Sequence, residues 1–321
     1  MLQTAFLYDP IFLLHDTGAS HVERADRLRA IRNRLTRTGI LNRMAQISPR
    51  PATREILELV HTPAYVDLVE ADTDAGSLFL STDHGLDTRL SPDTLPAALM
   101  AAGSVLTAVD AVLAGEVRNA FCCVRPPGHH ASHRAGRGFC IFNNVAIGAA
   151  YVRRRHNLKR VLIMDWDVHH GNGTQDIFED EPDVFFASSH QAGIYPGSGM
   201  SDERGIGSAV GTTLNMPMAA FTTQQEFIDV WKEQLPRAMK QFEPEMVFIS
   251  AGFDSHRDDL LGSLGMTATG FAEMTRLAME IAHRFAGDRV VSVLEGGYNV
   301  DALADSVEAH VLALMSEVED D

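Results

Sequence analysis

From residue 93 onward the chain alternates short β-prone apolar runs with longer helical stretches, and this alternation constrains its fold more than any other feature. The runs are Asn119–Val124, Val161–Met164, Val184–Ala187, Met246–Ser250 and Val290–Leu294. Helical patterning covers Asp93–Leu113, Asn143–Arg155, Gln224–Gln241, Thr269–Phe285 and Val300–Met315. Strand and helix at this spacing imply parallel βαβ units. Strands without a polar face imply a sheet covered on both sides. The expectation is an α/β fold: one three-layer α/β/α domain over residues 1–321 with a mostly parallel central sheet. The stretch before residue 91 is less regular. A basic helix is expected over Arg24–Thr38, and Ser91-Pro92 marks a helix start. The acidic end Glu317–Asp321 is expected to fray.

Composition narrows the functional classes. A hydrophobic share of 45% over 321 residues supports a sizeable core and excludes disorder for most of the chain. No uninterrupted apolar run approaches the roughly 18 residues of a spanning helix, so no membrane partner is expected. Met1–Pro10 lacks the basic segment and apolar stretch of a secretory signal. Cys122, Cys123 and Cys140 do not form a disulfide framework. Two of them are adjacent in an apolar run, which suits a reduced, cytoplasmic core. With 43 acidic against 27 basic residues, the net charge of −16 argues against nucleic acid as a direct partner. It is compatible with cationic substrates. A homo-oligomer is left open.

In open parallel sheets ligands collect beyond the carboxyl ends of strands. Four of the runs lead there into residues that bind metals or move protons. They are Arg125-Pro126-Pro127-Gly128-His129-His130, Asp165-Trp166-Asp167-Val168-His169-His170-Gly171-Asn172, Ala251-Gly252-Phe253-Asp254 and Glu295-Gly296-Gly297-Tyr298. Residues at i, i+2 and i+4 of an extended segment point the same way. Asp167 and His169 can therefore enter one coordination sphere, with Asp254 as a third ligand from a neighbouring strand. Such a site leaves room for water, as catalytic metal sites do. The adjacent pair His129 and His130 lacks metal spacing and suits proton transfer. Asp165 could orient one of the two and Asn172 the other. Tyr298 could donate to a developing oxyanion.

At these positions the chain resembles the zinc-dependent histone deacetylase superfamily, in its class II and bacterial deacetylase-like branch that includes acetylpolyamine amidohydrolases. The matching motifs are R-P-P-G-H-H-A (125–131), G-F-C-I-F-N-N (138–144), D-W-D-V-H-H-G-N-G-T (165–174), A-G-F-D (251–254) and E-G-G-Y (295–298). A weaker match runs back to His15 and His21-Val22-Glu23-Arg24, where the family often has His-Pro-Glu. The resemblance implies Zn2+ on Asp167, His169 and Asp254. It implies His130 as general base and later acid, and His129 as its electrostatic partner. Asp165 would pair with His129 and Asn172 would sit beside His130. Asn172 is the class II-like choice, where class I enzymes usually have Asp. Tyr298 would bind the oxyanion; one class II subgroup has His there and is a poor deacetylase.

By the same resemblance, Gly138, Phe139 and Tyr195 would line an acyl-lysine tunnel, with Tyr195 where the family more often has Phe. Leu261 stands where a polyamine-specialised relative carries Glu. A K+ ion near the zinc would involve Asp165, Asp167, His169, Ser188 and Ser189. The implied reaction is hydrolysis of an acylated lysine side chain by activated water. An acetylated polyamine is the alternative substrate, and a weakly catalytic, metal-containing binding module is the alternative from another class. An arginase-like ureohydrolase would need motifs such as D-x-H-x-D and H-G-G-D-H, and neither occurs.

Overall fold

The computed structural model describes residues 3–318, so residues 319–321 of the acidic end Glu317–Asp321 lie outside the described residues. The strands are β1 (Thr4–Leu7), β2 (Ala45–Ile47), β3 (Asn119–Cys122), β4 (Val161–Asp165), β5 (Val184–Gln191), β6 (Thr213–Met218), β7 (Met246–Ala251) and β8 (Val290–Leu294). They form one sheet in the order β2-β1-β3-β8-β7-β4-β5-β6, and every pairing is parallel. The helices are α1 (Asp26–Arg37), α2 (Arg54–Leu57), α3 (Pro63–Asp74), α4 (Thr94–Leu113), α5 (Asn144–Arg155), α6 (Asn172–Phe178), α7 (Gln224–Phe242), α8 (Ala268–Phe285) and α9 (Val300–Met315). α1, α9, α8 and α7 pack in series, and so do α3, α4, α5 and α6. Both α4 and α9 pack on β3 without substantial contact to each other, so the two series cover opposite faces. The result is the expected α/β/α domain.

Local chemistry sets the helix starts. The Asn143 and Asn299 side chains accept the backbone N–H of Ala146 and Ala302 and begin α5 and α9. Thr223 and Glu226 form a reciprocal capping box on α7. The run Arg153-Arg154-Arg155 closes α5, where positive charge favours the helix dipole. α4 is the only helix among the described residues long and apolar enough to cross a membrane by length and composition, yet 67% of its apolar window is buried in the fold.

The topology places the site. The chain leaves β3 and begins β4 three places away; β7 and β8 later fill the gap. The carboxyl ends of β3, β8, β7 and β4 therefore stand side by side, and these four strands carry the four polar clusters. Their ends are level in register, with Cys122 opposite Val293, Ala251 opposite Leu294, and Asp165 opposite Ser250.

Candidate active site

β4 ends at Asp165, and the chain then bends, so Asp167 and His169 do not lie on the extended segment expected. Backbone donors aim them at one point instead. Asp167 accepts from the backbone N–H of His169 (2.9 Å) and of Gly296 (2.8 Å), and Asp254 accepts from Val168 (2.8 Å). Trp166 and Val168, between the site residues, are buried in the core. His169 Nδ1 lies 3.0 Å from Asp167 Oδ1 and 3.3 Å from Asp254 Oδ2. One donor atom from each of the three residues falls within 4.8 Å of the others, and all three residues are buried. Glycine is required alongside: a Cβ at Gly252 would overlap the Asp167 carboxylate, and one at Gly296 would overlap the carboxylates of both Asp167 and Asp254.

The electrostatics fit a cation. Asp254 Oδ2 is buried and has no well-directed hydrogen bond, which is costly for a carboxylate oxygen. Burial, and then the neighbouring Asp167, push the Asp254 carboxyl up to about 7. Burial disfavours charge on His169, but the two carboxylates outweigh it and carry the imidazole to about 10. Two carboxylates and one imidazole, open on the pocket side, are a donor set for a divalent ion with room for water.

His129 and His130 lie beside this group with ring centroids 4.0 Å apart. His129 Nδ1 is 3.0 Å from Asp165, and His130 Nδ1 is 2.8 Å from the Asn172 side-chain oxygen. These partners separate the two imidazoles. Burial opposes charge on His129, but Asp167 and Asp165 override it and raise its pKa to about 10. His130 is lowered by burial, and then by His129 and His169. The two imidazoles are thus pushed in opposite directions, the pattern by which acid and base roles are divided.

Tyr298 reaches the site from the end of β8. Burial, and then Asp254 and Asp167, raise its phenol well above the ordinary tyrosine range, so it remains a donor. The Gly-Gly-Tyr loop is held by groups that sequence reasoning left without a role. Buried Arg27 of α1 donates to the carbonyls of Gly297 (2.6 Å) and Glu295 (2.5 Å), and its guanidinium lies 5.1 Å from the centre of the Tyr298 ring. Glu23 accepts from Arg27 (3.1 Å) and twice from Arg125 (2.5 and 2.7 Å). Asp259 accepts the N–H of Tyr298 (2.7 Å) and of Leu261 (3.0 Å). The Glu295 carboxylate accepts from Gly128 and His129 backbone and braces the approach to the histidine pair. Only a tertiary structure reveals these links, although Glu23, Arg125 and Glu295 stand inside the motifs.

The expected residues His130, Gly138, Phe139, His169, Tyr195, Leu261 and Tyr298 line one cavity of about 270 Å³. Asp87 and Ile194 also line it and were not anticipated. Ser188 stands opposite Asp165 in register and hydrogen-bonds His190, while the Ser189 hydroxyl is buried without a partner. A larger cavity of about 670 Å³ opens near the ends of α4 and α9 and contains none of the site residues.

The chain matches the family model described as the histone deacetylase domain over residues 21–314. It is 36% identical to a protein of Archaeoglobus fulgidus named probable deacetylase, covering 98% of this chain and 86% of that one. It is 40% identical to the human protein named polyamine deacetylase HDAC10, covering 95% of this chain and 46% of that protein. Its fold resembles the crystal structure of the HDA15 HD domain with a TM-score of 0.90 at 36% identity, covering 98% of this chain and 89% of that one.

Proposed function

Since the chain belongs to the histone deacetylase family of hydrolytic deacetylases, we propose that it uses water to remove acetyl or another short acyl group from acylated lysine side chains. Asp167, His169 and Asp254 would hold the zinc ion. One observation carries this reading: a buried Asp-His-Asp group shares one cavity with the His130 imidazole and the Tyr298 phenol, which reach it from two other strand ends. When bound, the cation supplies Lewis acidity, polarising the acyl carbonyl and lowering the pKa of water. His130, with Nδ1 engaged by Asn172, accepts the proton of the attacking water at Nε2 and later delivers it to the departing amine. His129, charged against Asp165, keeps the His130 pKa low and so speeds that return. Tyr298 donates to the oxyanion as it forms. Gly138, Phe139 and Tyr195 enclose the lysine chain. The Cys140 thiol is buried with a raised pKa and is not the nucleophile.

The proposal extends to a potassium ion beside Asp165, with Asp167, His169, Ser188 and Ser189. The unpartnered Ser189 hydroxyl supports it. A cytoplasmic location is proposed on three buried free thiols. A second reading, an acetylpolyamine amidohydrolase, is favoured by the likeness to the human polyamine deacetylase. Leu261, apolar where a polyamine-specialised relative has Glu, opposes it. Turnover of an acetyl-lysine peptide and of acetylputrescine by the zinc-loaded protein separates the two. Faster peptide hydrolysis supports the first reading and faster acetylputrescine hydrolysis the second. Stoichiometric zinc with no hydrolysis of either would make the chain a metal-containing binding module.

A further inference from the structure

His170 and His190 are buried imidazoles that the proposed chemistry does not use. His170 follows His169 in the chain, His190 lies near the carboxyl end of β5, and their ring centroids are 4.7 Å apart. Hydrogen bonds fix the proton on each ring. Asn215 donates to the side-chain oxygen of Gln175 (2.7 Å), and the Gln175 amide nitrogen donates to Glu203 (2.6 Å). The Gln175 oxygen is therefore the atom that faces His170 Nε2, at 2.9 Å, and it can only accept. His170 thus carries its proton on Nε2, and its Nδ1 accepts from the Ser198 hydroxyl (2.9 Å). His190 in the same way donates from Nε2 to the Gly199 carbonyl (2.8 Å), and its Nδ1 accepts from Ser188 (3.0 Å).

Both imidazoles therefore hold one turn, Ser198-Gly199. Glu203 also holds it, accepting the N–H groups of Gly199 (3.1 Å) and Met200 (2.9 Å). The turn leaves no space for another side chain. Gly199 has a φ of 87°, and a Cβ there would stand 2.5 Å from His190 Nε2 and 2.6 Å from His170 Cγ. Tyr195, three residues earlier, is a wall of the pocket, and its ring meets that of His130 edge-on at 5.0 Å. The six residues 193–198 belong to no helix or strand, and none of them is buried. The segment has no core side chain of its own to anchor it, so it is held at its ends. Its leading end is Ala192, whose N–H reaches the Met218 carbonyl (2.8 Å). Its trailing end is the turn gripped by the two imidazoles.

We propose that His170, His190 and Ser198 are positioning residues, which act through the Ser198-Gly199 turn to hold Tyr195 against His130 and so set the width of the substrate pocket. One short stretch of chain then supplies a metal ligand, His169, and an anchor for the pocket wall, His170. Neither anchoring ring has to titrate or to touch the substrate. This rests on the deacetylase reading and adds to it the means by which its pocket wall is held.

The test compares the zinc-loaded full chain with the variants S198A, S198T, Y195A and S198A/Y195A, using an acetyl-lysine peptide and acetylputrescine as probes. S198A should raise KM for the better probe roughly fivefold, the scale of one hydrogen bond, with kcat and zinc content unchanged. S198T, which keeps a hydroxyl, should restore the wild-type KM. In the Y195A background S198A should change KM no further, because the residue acts only through Tyr195. Amide hydrogen exchange over residues 193–200 should be faster in S198A than in the wild type. The proposal is overturned by an unchanged KM in S198A, by the same KM penalty with and without Tyr195, or by unchanged amide exchange. If the wild type hydrolyses a probe and the variants behave in one of these ways, the clamp alone is lost. If the zinc-loaded wild type hydrolyses neither probe, the deacetylase reading is lost and the clamp goes with it.

Discussion

The Tyr298 hydroxyl is buried among carboxylates, and burial followed by Asp254 and Asp167 keeps it protonated. A phenol held as a donor contributes to an oxyanion and little to metal binding. Tyr298→Phe should therefore lower kcat about 10²-fold or more, the scale for one lost oxyanion donor, and leave zinc content unchanged. Wild-type turnover in that variant would remove Tyr298 from the chemistry. Residues of this kind were legible because strand periodicity and a cluster of rare types coincide: Asp165, Asp167, His169, Asp254, His129, His130 and Tyr298 all sit at strand ends. Asp87, Ile194 and Arg27 were not legible. Each reaches the site from a segment whose local pattern is that of an ordinary loop or a basic helix, and only packing turns it inward.

The contact between α1 and the turn after β8 shows what an element contributes. α1 was expected as a basic helix over Arg24–Thr38 and is observed at Asp26–Arg37. Arg27 of this basic helix is fully buried against the Glu295–Tyr298 turn, and the one Glu23 carboxylate pairs with both it and Arg125. Removing the anion would strand two guanidinium groups in the interior. Glu23→Gln should destabilise the chain by about 3–5 kcal/mol, the cost of breaking a buried ion pair, read as a lower urea midpoint. An unchanged midpoint would show that the cluster is not structural. The edge strand β6 was missed because Thr213–Met218 carries an asparagine, a proline and two methionines and no run of β-branched residues. Pro217 is tolerated there because an edge strand has a free side.

Across the whole molecule, buried neutral imidazoles set the response to acid. Burial lowers His61 and His310 to about 3, and burial followed by Arg125 lowers His15 to about 4. His310 is held between two hydroxyls, of Thr275 at 2.6 Å and Ser292 at 2.9 Å, which satisfies a neutral ring. The unfolded chain protonates these groups near pH 6.5, and the folded chain does so only near pH 3 to 4. Each of the three should therefore cost about 2 kcal/mol of stability as pH drops from about 6.5 to 5, while the raised carboxyls of Asp254 and Glu295 act in the opposite direction in metal-free protein. The readout is the difference between variants: between about pH 7 and 5 His310→Gln should lose about 2 kcal/mol less than the wild type. Equal losses in the two proteins would contradict it. The α/β/α layering was readable from the alternation of elements. The order of the strands was not, since β7 and β8 enter between β3 and β4 by long-range pairing. That order brings Asp254 to Asp167 and His169, and the most direct test is zinc analysis after equilibrium dialysis of the wild type and Asp254→Ala. One zinc per chain in the wild type, with both metal and hydrolysis lost in the variant, is the expected result. A folded variant retaining one equivalent of zinc would contradict the ligand set and the deacetylase mechanism built on it.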